Sequence, residues 1–308
     1  AEEIAALLTR LEFKCKITNN QLQVTAPPHR MDIGEGVVGL ADVLEEVARS
    51  YGFDKIPTTT MSDALPPQVG NPIHEWEEHL RDLLVALGLQ EVVTYRMTSP
   101  EREGRVVAHN EYVRIANPIA PERSVLRQSL LASVLEVAEK NARAESIAMF
   151  EVGSIFEPVK NDLPNEPRKL AIVMTGARIA SAWDVKDSPA FDFYDMKGRI
   201  ELLLAGLRFT DIVYAETEST YHLHPGKSAE VKVNGQVVGV FGELHPLAKE
   251  KYEFGDAPVI VAEFDLEKLR ELNPSYGIVP VSEFPPMYED IAVILDESVA
   301  ASTVEALI

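Results

Sequence analysis

Hydrophobic patterning places this chain in the α+β class, and three features carry that reading. Strand-like runs connect to one another through tight turns, most clearly in Ser228–Leu244, where Asn234-Gly235 is a type I′ turn dipeptide between alternating strands. Helical runs separate groups of strands instead of following each strand in turn. Hairpins therefore outnumber βαβ crossovers, which predicts an antiparallel sheet with helices packed against it.

The bulk numbers bound the rest. The chain has 308 residues, 46% of them hydrophobic, enough for two or three domains with their own cores. No apolar run approaches the ~18–20 residues of a membrane span. No basic segment precedes an apolar one at the start, so no secretory signal is expected. The opening AEEIAALLTRLEF begins directly in a helix, which suggests a piece cut from a longer chain. The single cysteine, Cys15, excludes an internal disulfide and a Cys-rich zinc site, reads as a small strand residue, and points to a cytoplasmic location. The net charge is −20, from 49 acidic against 29 basic residues. That balance opposes a primary role in nucleic-acid binding, which needs a basic patch.

Taken in order, residues 2–11 form a helix with Ile4, Leu7, Leu8 and Leu11 on one side. Phe13–Ile17 and Leu22–Thr25 are strands joined at the turn signal Asn19-Asn20. A helix follows up to Tyr51 and stops at Gly52. Residues 57–72 are a Pro- and Thr-rich linker. Asn71 caps and Pro72 opens the helix Ile73–Leu87. Strands are expected at Glu91–Tyr95 and Tyr112–Ile115, then a long helix from Pro121 to Arg143. Ile147–Phe156 and Lys169–Thr175 are buried strands, and Asp192–Leu207 is a helix with Met196, Ile200, Leu203 and Leu204 inward. After the Ser228–Leu244 hairpin come a strand at Val259–Phe264 and a helix at Leu266–Glu271. A third unit begins near Tyr276, with a strand at Ile291–Leu295 and helical turns at Ala301–Ile308.

The segment Arg30–Pro57 is where chemistry is first suggested. On a helix, Val37, Leu40, Ala41, Leu44, Val47, Ala48 and Tyr51 share one stripe, and Asp42, Glu45 and Glu46 lie opposite. Acids at i, i+3 and i+4 repel by ~0.2–0.5 kcal/mol per close pair, partly offset by Arg49. Periodicity alone leaves two readings: a solvated helix face, or a hard cation held by carboxylates and water.

Elsewhere the search for a site is negative. The chain has no Gly-rich phosphate loop of the Walker or dinucleotide type and no nucleophile elbow. His222 and His224 would face one side of a strand, but no third ligand lies nearby in sequence. His29, His74 and His79 read as loop or surface residues, and Trp76 and Trp183 as packing residues.

Several ordered motifs resemble one family. The run D-V-L-E-E-V-A-R-S-Y-G-F-D-K-I-P, Asp42 to Pro57, is similar to the metal-binding domain of the bacterial phenylalanine–tRNA ligase beta subunit. So are the segment Asn117–Leu131 and the runs Asn141–Arg143, Phe150–Phe156, Asp192–Gly198, His224–Ala229 and Gly239–Pro246. The resemblance implies three parts. A small mixed domain at 1–62 binds metal. A class II ligase-like antiparallel sheet flanked by helices fills 70–275 and is non-catalytic. A truncated start of a ferredoxin-like anticodon-binding domain occupies 276–308. It also implies Mg²⁺ on Asp32, Asp42, Glu45 and Glu46, at a site shared with an alpha subunit. Asp32 and Asp42 are ten positions apart, wider than the family pattern, so Glu35 competes with Asp32. No catalytic residue is assigned. Where class II chemistry places phosphate-binding arginines, this chain has Glu151 on one strand and Leu244 after the Gly-and-Glu stretch Val238–Glu243. Glu289 likewise stands where the anticodon-binding domain carries arginine. The implied whole is an α₂β₂ enzyme that joins phenylalanine to its tRNA with ATP, the alpha subunit holding the active site. Its tRNA would be contacted mainly by parts outside this sequence. The alternative is a non-enzymatic scaffold built on the same degenerate core.

Overall fold

The computed structural model describes the chain apart from residues 20, 68, 109–110, 186–187, 218–220, 276, 279–280, 297, 300–302, 305–306 and 308. Asn20 of the expected turn, Tyr276 and most of the expected Ala301–Ile308 helix fall outside the described residues. The chain forms two compact units, Ala1–Val69 and Gly70–Ile308.

The first unit opens with α1 (Glu2–Arg10), followed by the antiparallel pair β1 (Lys14–Thr18) and β2 (Gln21–Thr25) and then α2 (Gly36–Tyr51). Leu8 and Phe13 are its buried apolar anchors. Cys15 is half-buried on β1.

The second unit begins with α3 (Pro72–Ala86), whose Asn71 side chain accepts a hydrogen bond from His74 N as an N-cap. Next come β3 (Gln90–Glu91), β4 (Met97–Thr98), α4 (Pro100–Glu103), β5 (Val125–Leu126), α5 (Leu131–Lys140), β6 (Ser146–Ser154) and β7 (Arg168–Gly176). The remainder is α6 (Phe193–Gly206), β8 (Ile212–Glu216), β9 (Leu223–Val233), β10 (Gln236–Leu244), α7 (Pro246–Lys249), β11 (Val259–Asp265) and α8 (Leu266–Glu271). Seven strands make one sheet in the order β3-β6-β7-β11-β10-β9-β8. Every pairing in it is antiparallel except β3 with β6. This is the antiparallel sheet that the hairpin pattern predicts.

Alternation along the strands sorts side chains to two faces. One face carries Phe150, Ile172, Phe241, Ala262 and Phe264 and packs against apolar residues of α3, α6 and α8. The other carries Met149, Ala171, Val173, Val259 and Val261 and packs against α5. The Asn234-Gly235 turn has both residues at positive φ, 49° and 76°, as a type I′ turn needs.

Four expected elements differ. The long helix over Pro121–Arg143 divides into a 3₁₀ turn at Pro121–Arg123, the short β5, and α5 from Leu131. Backbone pairing explains the interruption: Leu126 N donates to Val113 O and Arg127 N donates to Arg96 O, which holds this stretch extended. The strands expected at Glu91–Tyr95 and Tyr112–Ile115 shrink to β3 and to a single bridge from Arg114 to Val125. Ile291–Leu295 lies in a segment with no strand among its described residues, because a lone extended run has no ladder to join. Trp183, expected to pack, is 93% exposed, whereas Trp76 packs against the core.

Phe241 is fully buried, stacked on Phe193 at 4.7 Å and edge-on to Tyr214 at 6.0 Å. Phe241→Ala is expected to cost about 3–5 kcal/mol in urea unfolding; a loss below about 1 kcal/mol would contradict this placement of the core.

Candidate functional site

The carboxylate helix faces the opposite way from its apolar stripe. Val37, Leu40 and Leu44 of α2 are exposed, Leu40 by 61%, while Gly39 and Glu46 are buried. The loop before the helix causes this rotation. Gly34 lies so close to α2 that a Cβ on Gly39 would sit 2.1 Å from Gly34 O. Gly34 N donates to Asp42 Oδ2 at 2.8 Å, and Gly36 turns the chain into the helix at φ +62°. Gly39, Asp42 and Glu46, spaced i, i+3, i+7, therefore form the inner face, and polar contacts set the helix rotation.

Each predicted metal ligand has a definite place in this arrangement. Arg30 donates to Asp32 at 2.9 Å through Nε and to Glu46 Oε1 at 2.8 Å through Nη2, and its guanidinium lies 5.6 Å over the Phe13 ring. Arg49 pairs with the second oxygen of Glu46. Hydrogen bonds from Arg30 pull Asp32 down to about 2; Arg30, then Arg49, hold Glu46 below the usual range. Glu45 and Glu35 are exposed. The structure thus gathers Asp32 and Glu46 around Arg30 and leaves Glu45 outside. Among the described residues no three carboxylate, histidine or cysteine groups converge as a metal ion needs. As a set, the four acids do not fit Mg²⁺, because guanidinium groups already occupy two of them.

The histidine pair also separates. His222 Nε2 lies 3.3 Å from Glu263 Oε2, and His224 Nδ1 accepts from Gly226 N.

The α5-facing side of the sheet also carries carboxylates. Register aligns Glu151 of β6, Ala171 of β7, Glu263 of β11, Val240 of β10 and Glu230 of β9 as one transverse row. Three carboxylates therefore share one sheet face on alternate strands. Glu151 is buried against Arg127, whose Nη1 donates to Glu151 Oε1 at 2.7 Å and to Thr94 Oγ1 at 2.8 Å. Arg127 Nε donates to Ser154 O at 3.0 Å, and Thr94 Oγ1 donates to Glu151 Oε2 at 2.6 Å. A Cβ on Gly153 would lie 2.5 Å from Arg127 Nη2, so glycine there makes room for the guanidinium. Arg127 is consequently neutralised, and its Nε and Nη1 donors are spent on protein groups. It offers no free charge to a phosphate. The Gly-and-Glu stretch Val238–Leu244 lies within β10, an interior strand, and supplies no cation to this face.

Beside this network Glu103 is fully buried. Its Oε2 accepts from Gln128 N at 2.8 Å and Ser129 N at 3.2 Å. Burial, with a smaller push from Glu263, raises it to about 7. Arg127 and Ser129 lie inside a motif recognised in the sequence, but their pairing with Glu151 and Glu263 needs the fold. Nothing in the sequence marks Glu103.

The mostly antiparallel sheet with helices on its faces is similar in fold to aminoacyl-tRNA synthetases. A solved pyrrolysyl-tRNA synthetase from Desulfitobacterium hafniense superposes with a TM-score of 0.51, at 18% identity over 65% of this chain and 66% of that one. Residues 56–266 match the phenylalanyl tRNA synthetase beta chain CLM domain, and residues 1–53 the tRNA synthetase B5 domain. Curated phenylalanine–tRNA ligase beta subunits are similar throughout. That of Geobacter metallireducens is 32% identical over 99% of this chain, and that of Halalkalibacterium halodurans 34% over 100%. The chain belongs to the phenylalanine–tRNA ligase beta-subunit family, and it spans about 38% of the length of those relatives.

Two outcomes follow. The folded state binds the Glu103 proton more tightly than the unfolded state, whose value is 4.5, so stability falls as pH rises from there to about 7. Wild type should therefore lose about 2–3 kcal/mol relative to Glu103→Gln between pH 5 and pH 8 in urea unfolding, and a constant difference would contradict the shift. With Asp32 and Glu46 occupied by arginine, the thermal midpoint should be the same in millimolar Mg²⁺ and in EDTA. A midpoint that climbs with the logarithm of Mg²⁺ concentration would show a filled site instead.

Proposed function

We propose that this chain is the non-catalytic portion of a phenylalanine–tRNA ligase beta subunit. It serves a class II catalytic alpha subunit, in an α₂β₂ enzyme, that joins phenylalanine to its tRNA with ATP and Mg²⁺. The observation that carries this reading is the Arg127–Glu151 pair: a buried arginine already paired with a carboxylate is not available to a nucleotide. The residues of this chain build and close the sheet, and the phosphate chemistry belongs to the partner subunit. The −20 charge directs tRNA contact mainly to parts outside this sequence. Residues 1–62, 70–275 and 276–308 act as the metal-binding-type domain, the synthetase-like core and the start of an anticodon-binding domain. The site of action is the cytoplasm; among the described residues no helix is long and apolar enough to cross a membrane.

Co-expression with the phenylalanine ligase alpha subunit of the same organism is expected to give a co-purifying mixed complex. Elution of the two chains as separate species at micromolar concentration would contradict the proposal.

A further inference from the structure

Trp183 stands almost wholly in solvent, although tryptophan is highly buried on average in folded proteins. The backbone holds it there. Ala182 N donates to Val185 O at 3.0 Å and Val185 N donates to Ala182 O at 3.2 Å, so Trp183 and Asp184 form the two-residue tip of a hairpin turn. Below the tip, Ile179 N donates to Ser188 Oγ at 2.9 Å, Arg178 N donates to Pro189 O at 2.8 Å, and Ala177 bridges to Ala190. Side chains then tie the turn to the rest of the unit. Ser181 N donates to Glu145 Oε2 at 2.7 Å. Arg178 donates to Asp195 Oδ2 at 3.0 Å through Nε and to Asp192 Oδ2 at 3.2 Å through Nη2. Asp192 and Asp195 are the capping box of α6, and the first turn of that helix carries Tyr194, also exposed. Ile179, on one arm of the turn, is a third exposed apolar side chain.

An indole pinned in water contributes no burial to this fold, but it is preorganised for a partner, and preorganisation lowers the entropic cost of association. Buried aromatic anchors carry much of the energy of protein interfaces. Charge narrows the choice of partner. Residues 177–195 contain Asp184, Asp187, Asp192 and Asp195 against Arg178 and Lys186, and Arg178 is already paired with two of those acids. Glu145 adds a further carboxylate at the base. A nucleic acid stacked on the ring would need cations beside it, and so would an anionic lipid surface. We propose that Trp183 anchors a protein interface. Its ring fills an apolar pocket rimmed by lysine or arginine on the catalytic alpha subunit, with Asp184 facing that rim and Tyr194 and Ile179 flanking the contact. The assignment rests on the reading that this chain serves such a subunit. A segment of the same polypeptide would be held by its linker at high effective concentration and has less need of a single deep anchor.

The test is ¹⁹F NMR of the full chain labelled with 5-fluorotryptophan. Its only tryptophans are Trp76 and Trp183, so two resonances are observed, assigned with Trp183→Phe. On addition of unlabelled alpha subunit from the same organism, the Trp183 resonance is expected to shift and to lose its H₂O/D₂O isotope difference, while that of Trp76 stays in place. Trp183 is exposed, so Trp183→Ala preserves the fold; in sedimentation it should bind the alpha subunit at least about thirtyfold more weakly. Asp184→Lys should bind at least about threefold more weakly at low salt. A complex that leaves Trp183 open to solvent, or unchanged affinity in Trp183→Ala, would overturn the docking assignment and leave the subunit role standing. Equal or tighter binding by Asp184→Lys would overturn the basic rim. No complex even with the wild-type chain would remove the subunit role and this assignment together. A Trp183 resonance that responds to tRNA and not to the alpha subunit would overturn the proposal in favour of stacking on RNA.

Discussion

The buried pair of Arg127 and Glu151 is the constraint on which the synthetase-like unit depends. Two charges removed from water are unfavourable unless their mutual attraction and a full set of hydrogen bonds offset the desolvation. Here much of that set is supplied: Thr94, Ser154 and Glu151 take the arginine's Nε and Nη1 donors, and Thr94 donates to the carboxylate. Each requirement shapes the chain nearby. Arg127 must lie on an extended segment to reach β6, so a helix cannot run through Pro121–Arg143. Gly153 must lack a side chain, and the Thr94 loop must lie against β6 instead of extending β3 as a strand. A group of three side chains thus sets the local path of segments more than fifty residues apart in sequence.

The N-terminal unit solves a similar problem on a smaller scale. Glu46 is drawn to the inner face of α2, and two guanidinium groups approach its two oxygens. Arg30 joins the loop, the helix and the Phe13 ring in a single contact set. Because charge-assisted hydrogen bonds to Arg30 and Arg49 satisfy Glu46, the helix can bury a carboxylate and leave Leu40 and Leu44 in solvent. The same interactions consume the oxygens that a divalent cation would need.

Much of the fold was legible in the sequence because it rests on local signals. Buried strand-like runs marked β6, β7 and β11, Asn234-Gly235 between alternating strands marked the β9–β10 hairpin, and Asn71-Pro72 marked the start of α3. The misreadings share one physical cause. At Pro121–Arg143 and on α2 the periodic pattern was helical, but long-range polar contacts decided where the helix began and which way it faced. Glu151 and Asp42 were singled out from the sequence, yet their partners, Arg127 and the Gly34 amide, were not, since pairing across a fold leaves no mark in spacing. Glu103 and Glu263 carried no motif at all. Their roles arise from burial and from the transverse register of the sheet, which only the assembled structure provides.

The central claim is that a synthetase-like sheet has been closed to nucleotide by its own buried ion pair. Equilibrium binding of radiolabelled ATP, with Mg²⁺ present, to the isolated chain tests it most directly. The account predicts no saturable binding up to millimolar ATP. Saturable micromolar binding at one site per chain would contradict it.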